Sequence, residues 1–243
     1  DIFPMANGYP INDAASGYDA NNPYAGRDPR LGKYIFYNGS TISEKSITIN
    51  INEGNQDGVN VTENRSTRTG YYMRKRLRMD VNCNPASISK QPHYTPRIRY
   101  TEMYLNYAEA ANEVNPNDAR VLKYLNLVRE RAGLPDIETL NPAIRGNQEL
   151  QRAAIQRERQ IELATEGQRY FDVRRWMIAD KNGEGRQNGY VHGMNVRGES
   201  NDKEDFNRIV EASQIVFNRK MYLYPMPDSE MRKTKNLVQN PGW

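Results

Sequence analysis

Few residues in this chain can do covalent chemistry. Cys83 is the single cysteine, which excludes an internal disulfide and a metal site built on thiolates. His93 and His192 lie far apart and outside any HExxH pattern, and no spacing sets either beside a serine or the cysteine as a nucleophile–base pair. Carboxylates are plentiful, and two of them flanking a glycosidic bond would make a hydrolase. The densest group, Glu158, Glu162 and Glu166, is interleaved with Arg157 and Arg159. Arginine neighbours lower a carboxyl pKa and spoil a general acid. The stretch 52–58 misses the spacing of a calcium loop. The expectation is therefore no catalytic residue, no metal and no cofactor.

What remains is recognition chemistry. The chain holds 16 tyrosines, and Tyr9, Tyr18, Tyr24, Tyr34, Tyr37, Tyr71 and Tyr72 fall in sequence rich in Gly, Pro, Asn and Asp. A tyrosine offers a flat ring to the C–H face of a sugar, while Asn, Asp, Gln and Arg address hydroxyls. The competing use of the same rings is to pack the loops that carry them.

Those loops need elements to hold them. Residues 1–97 carry closely spaced turn signals, among them Asn7-Gly8-Tyr9-Pro10 and Asn21-Asn22-Pro23-Tyr24. Ile47, Ile49 and Ile51 alternate with polar residues and predict a strand, paired with Val59 and Val61 across a turn at Asp57-Gly58. Residues 98–178 read as helices. Tyr100, Met103, Tyr104, Tyr107, Ala108 and Ala111 form one helical stripe, and Val121, Leu125, Val128 and Ala132 form the next. Asn115-Pro116 predicts the start of that second helix, with Gly133 and Pro135 as its stop. A third helix is expected over 147–166, with Leu150, Ala154 and Ile161 inward, its charges solvated or ion-paired, and Gly167 as its stop. A short fourth holds Tyr170, Phe171, Val173, Trp176 and Met177. These predict two antiparallel helical hairpins of tetratricopeptide-like period. Beyond 179 the chain reads as a loop at 182–189, an extended run at 190–196, a short helix at 206–212 and a strand at 215–224.

At 243 residues and 37% hydrophobic content, a real core and much loop are both expected. Basic residues number 34 against 30 acidic, and the one tight basic cluster is Arg74-Lys75-Arg76 with Arg78, so nucleic-acid binding is not expected. No apolar run approaches the ~20 residues of a membrane helix, and no leader pattern follows Asp1. Asn38, Asn60 and Asn64 head N-x-S/T triplets, which are acceptors only in a eukaryotic secretory route.

Four segments together resemble the SusD/RagB family. They are Asp28-Pro29-Arg30-Leu31 followed by Gly70-Tyr71-Tyr72-Met73-Arg74-Lys75; the run from Arg99 to Ala110 followed by the run from Leu125 to Pro135; the run from Arg157 to Trp176; and the run from Lys220 to Pro227 followed by Gln239-Asn240-Pro241-Gly242-Trp243. The resemblance implies a mainly α fold of tetratricopeptide-like helical hairpins, with long ordered loops and short β-hairpins. It implies one unit over 1–243: loop-rich 1–97 with a β-hairpin, helical 98–178, and an extended 179–243. It covers the family's C-terminal part, so the anchoring cysteine and the other hairpins are expected outside these residues. Family members capture glycans, or peptides in the RagB branch, at the bacterial cell surface. They are outer-membrane lipoproteins and hand ligand to a SusC-like TonB-dependent transporter. The implied ligand residues lie in loops around the Asp-Pro-Arg segment: Tyr9, Asn12, Tyr18, Asn22 and Tyr24. The helix motifs, with Trp176 and Trp243, are expected to be structural and packed.

Overall fold

The structure, a computed structural model, describes residues 2–42, 47–61, 66–81, 88, 90–181, 187–197 and 206–243. Cys83, Asn64 and most of the expected 182–189 loop lie outside them. Its N-terminal third holds helix α1 (Pro29–Tyr34) and the short strands β1 (Ile35–Phe36), β2 (Thr41–Ile42), β3 (Ile47–Thr48) and β4 (Tyr72–Met73). Helices α2 (Tyr100–Val114), α3 (Arg120–Arg131), α4 (Ile137–Leu140), α5 (Gln148–Glu162) and α6 (Gln168–Arg175) follow. Strands β5 (Gly189–Val196) and β6 (Phe206–Ile215) and helix α7 (Asp228–Met231) complete it.

Helices α2 and α3 run antiparallel. Tyr104 stacks on Tyr124 at 5.3 Å, and Arg120, at the start of α3, lies over the ring of Tyr107. Helix α5 runs antiparallel to α2: Gln148 donates to the Asn112 carbonyl at one end, and Arg99 reaches Glu162 at the other. Leu105, Ala108, Val121, Leu125, Val128, Ile155 and Leu163 form the shared core. Gly133 takes the left-handed conformation at φ +81, and Leu134 N–H closes onto the Arg129 carbonyl, so α3 ends as its sequence predicts.

Several expectations are corrected. The inward line of α2 is Leu105, Ala108 and Asn112, whereas Tyr100 and Met103 are exposed and Tyr107 lies at the edge. A tyrosine counts as apolar in a periodicity but keeps a hydroxyl that favours the boundary. Asn112 can sit inside because its amide donates to the Gln148 carbonyl. Helix α3 starts at Arg120 and not at Pro116. Asn115 spends its side chain on Asn117 N–H, and Asp118 takes Arg120 N–H instead. Asn147 does cap α5, but the helix ends at Glu162, and Leu150 is partly exposed while Ile155 is buried. Thr165 turns left-handed, and Gly167 caps α6.

The early hairpin pairs upstream: Thr41 faces Thr48 and Ile42 faces Ile47. The 52–58 turn is closed on itself by Asn55 and Gly58 N–H groups, and Asp57 accepts from Asn50 N–H, which turns Val59 and Val61 away from the isoleucines. Residues 206–212 form a strand and not a helix. Strand β6 pairs antiparallel with β5 from Val196↔Phe206 to Gly189↔Ile215, and a cross-strand partner overrides local spacing. The expected 215–224 strand is interrupted at Phe217, which is buried against Val173 and Ala179, and by a 3-10 turn at Arg219–Tyr222. Gly70, at φ +75, holds the β5–β6 flap in place: a Cβ there would lie 1.9 Å from the Met194 carbonyl oxygen. Trp243, expected to be packed, is instead 44% exposed, because its indole N–H is satisfied at the surface by the Lys220 and Leu223 carbonyls.

Candidate functional site

A strap, residues 2–28, lies across the helices, and buried ion pairs fasten it. Asp28 accepts from Arg30 N–H and so caps α1. The Arg30 guanidinium is enclosed and holds Asp28 at 2.8 Å, Glu158 at 2.5 Å and Glu162 at 3.1 Å. Glu162 also accepts from Tyr34 O–H, Arg99 and Arg131, and Glu158 pairs with Arg129 at 3.5 Å. Burial alone would lower the Arg30 pKa, but Glu158 and Asp28 together hold it above the usual range. The dense charges of α5 are therefore ion-paired, as expected, but Glu158, Arg159 and Glu162 are buried and not solvated.

A second network fastens α6. Arg159 holds both oxygens of Asp172 at 3.0 and 3.1 Å, Arg175 bridges Asp172 and Glu109, and the Trp176 indole N–H donates to Glu109 at 2.7 Å. Burial opposes ionisation of Glu109 and Glu166. Arg175 and Trp176 at the first, and Arg99 and Lys75 at the second, nevertheless hold both below the usual 4.5. A carboxylate whose folded pKa is depressed contributes stability above its unfolded value and loses it as pH falls through the folded value. Melting temperature is therefore expected to stay level down to about pH 5 and to fall below it. Thermal melts between pH 8 and pH 3 check this, and a level profile across that range would contradict it.

Of the sequence-predicted ligand residues, Tyr9 lines a cavity of about 230 Å³ with Pro10, Asp13, Arg129 and Leu140. Asn12 is exposed and lines a groove of about 550 Å³ with Gln156, Gln160, Arg169 and Arg208. Arg157 of α5 borders both, its guanidinium held by the Ile2 carbonyl. Tyr18 is half-buried, with Arg27 over its ring at 5.5 Å. Tyr24 packs inside a cluster, stacked on Tyr37 at 4.2 Å and edge-on to Tyr71 and Phe206. Burial, then the nearby Tyr71, pushes its hydroxyl pKa well above 10. Asn22 is exposed on a turn and borders neither cavity.

The structure thus brings Tyr9 and Asn12 to either side of Arg157. Tyr18 lines neither the cavity nor the groove and packs under Arg27 instead. Gln156, Gln160 and Arg208 escaped the sequence reading. The two glutamines sit at i and i+4, one face of α5, which is a readable signal. Arg208 lay in the segment read as a helix. Among the described residues no group of His, Cys, Asp and Glu is arranged to hold a metal, and no helix is long and apolar enough to cross a membrane.

Packed helices carrying long loops and short β-hairpins define a tetratricopeptide-like fold. The SusD family model matches residues 1–243, and the chain belongs to that family. It is 32% identical over 154 residues to SusD-like protein P2 of Formosa agariphila, covering 62% of this chain and 26% of that protein. SusD-like protein P25 of the same organism is 38% identical over 109 residues, 44% of this chain and 19% of that one. Among solved structures, a SusD-like protein from Bacteroides fragilis is 30% identical with a TM-score of 0.78, covering 100% of this chain and 45% of its own. A SusD-like carbohydrate binding protein from that species is 26% identical with a TM-score of 0.72, covering 95% and 45%. The chain therefore spans about a quarter of the first relative and under half of each solved protein.

Proposed function

We propose that this chain is part of a non-catalytic glycan-binding component of a SusC/SusD-type nutrient uptake system. In this reading it captures oligosaccharides at the outer-membrane surface as a lipoprotein and passes them to a SusC-like TonB-dependent transporter. The observation that carries the reading is the groove between strap and α5, where Asn12, Gln156 and Gln160 set amide groups along a concave surface, with the Tyr9 cavity on the other side of Arg157. Amides donate and accept at once, which suits the hydroxyls of a sugar, and the adjacent rings supply apolar faces. Tyr9, Asn12 and Tyr18 are the contact residues in this proposal. Tyr24, enclosed by Tyr37, Tyr71 and Phe206, and Asn22, which borders neither cavity, are not contact residues in it.

Calorimetry on the intact protein with an oligosaccharide selected on a glycan array tests this. Tyr9→Ala and Tyr18→Ala are each expected to lose ~1–2 kcal/mol of binding without unfolding the protein. Trp176→Ala, which breaks the bond to Glu109, is the contrast: it lowers the melting temperature. Unchanged affinity in Tyr9, Asn12 and Tyr18 variants together would remove the site from the strap. Shortening of the bound oligosaccharide that tracks the purified protein would overturn the non-catalytic reading.

A further inference from the structure

A third cavity, of about 450 Å³, lies between the basic segment at 75–78, the segment at 93–99, Arg131 after the core of α3 and Glu166 after α5. Its size falls in the ~300–1,000 Å³ range of small-ligand sites. Five cations line it: Lys75, Arg76, Arg78, Arg99 and Arg131. Most are committed. Lys75 and Arg99 hold Glu166 at 2.5 and 2.8 Å. Arg78 pairs with Asp80 at 2.6 Å. Arg131 gives one nitrogen to Glu162, while its side chain stays 55% exposed.

Arg76 differs. Among the described residues no carboxylate lies within ion-pair reach of it. Its guanidinium makes two long contacts, both 3.4 Å, to the Thr165 carbonyl and the Thr95 hydroxyl. Its backbone carbonyl meets His93 Nε2 at 3.1 Å, which fixes the imidazole on the same wall. Tyr94, also in the lining, is 78% exposed. A cavity therefore presents a guanidinium whose two terminal nitrogens are held only by long bonds to neutral acceptors, a half-exposed second arginine, and a bare aromatic ring next to them.

That combination has a specific complement. A guanidinium binds a carboxylate or sulfate through two parallel N–H bonds, which a neutral hydroxyl cannot match. A ring beside it favours a ligand whose charge is borne on a body with an apolar face, and a pyranose has such a face. We propose that this cavity is a subsite for an anionic sugar, carrying a carboxylate or a sulfate ester, with Arg76 on the charge and Tyr94 on the sugar face. The inference rests on the glycan-binding reading and adds to it the ligand's charge class.

The test is calorimetry on the intact protein with four probes: oligogalacturonate, a sulfated galactan oligosaccharide, a neutral oligosaccharide of equal length, and inorganic sulfate. At least one charged oligosaccharide is expected to bind more tightly than either neutral sugar or sulfate, and to weaken as salt is raised. Arg76→Gln is expected to weaken that probe about tenfold or more, and Tyr94→Ala about fivefold, with Arg76→Lys between wild type and Arg76→Gln. Neutral-sugar affinity and melting temperature stay unchanged in these variants, because neither side chain supports the buried networks. Charged probes that bind equally well in wild type and Arg76→Gln would overturn the subsite. So would sulfate binding as tightly as the charged sugars. Binding of the neutral probe alone would overturn the subsite but leave the strap groove standing. Binding of none of the sugars would overturn both.

Discussion

Glu158→Ala is expected to lower folding stability by about 3–5 kcal/mol. The side chain is 2% exposed and receives two guanidinium groups, Arg30 from α1 and Arg129 from α3. Removing it leaves both cations enclosed, and Arg129 already has one terminal nitrogen buried without a hydrogen-bond partner. Arg129 is poorly placed to tolerate the loss: burial already lowers its pKa, and Glu158 is the first neighbour that opposes this. Loss of a partner inside a protein costs more than the pair itself contributed, since an unpaired buried charge keeps its full desolvation penalty. Urea unfolding of the variant against wild type gives the number. A change below about 1 kcal/mol would mean that water reaches this network.

Leu125→Ala is expected to cost about 2–5 kcal/mol. Leu125 is 1% exposed and belongs to the core shared by α2, α3 and α5, so the vacated volume is walled by packed helices and, on one side, by the strap at Gly8 and Tyr9. Rigid walls relax little, which places such truncations toward the expensive end. The denaturation midpoint should fall with the slope unchanged, because the surface exposed on unfolding is the same. A loss under half a kcal/mol would put this face of α3 in contact with solvent.

The helices were legible because their apolar period repeats over enough turns to average out exceptions, and because Gly133 and Asn147 punctuate them. The inward face of α2 was not, since Tyr100 and Tyr107 carry apolar rings that the structure leaves at the boundary, while polar Asn112 is buried by a partner on α5. Strand β6 was read as a helix because its partner β5 lies across a connection that local spacing does not see. The charges of Arg157–Glu162 were legible as ion-pairing material and Asp28-Pro29-Arg30 as a family segment, but nothing local says that the two pair with each other. For the site, the abundance of loop tyrosines was visible and their orientation was not. Tyr9 and Tyr24 have similar sequence surroundings, yet one lines a cavity and the other is enclosed by Tyr37, Tyr71 and Phe206.

The strap's anchor also fixes an order of assembly. Arg30 meets Glu162 across 132 positions of chain, whereas α2 and α3 close on each other over a connection of a few residues. Contacts of long sequence separation carry the larger loop-closure entropy and form late. On a ribosome adding ~5–20 residues per second, Arg30 waits roughly 7–26 s before its carboxylate partner has been made. The strap therefore settles on the helices only after α5 has been made. Because it is held by its own separate set of contacts, the strap can lift away as a unit while the core shared by α2, α3 and α5 stays intact.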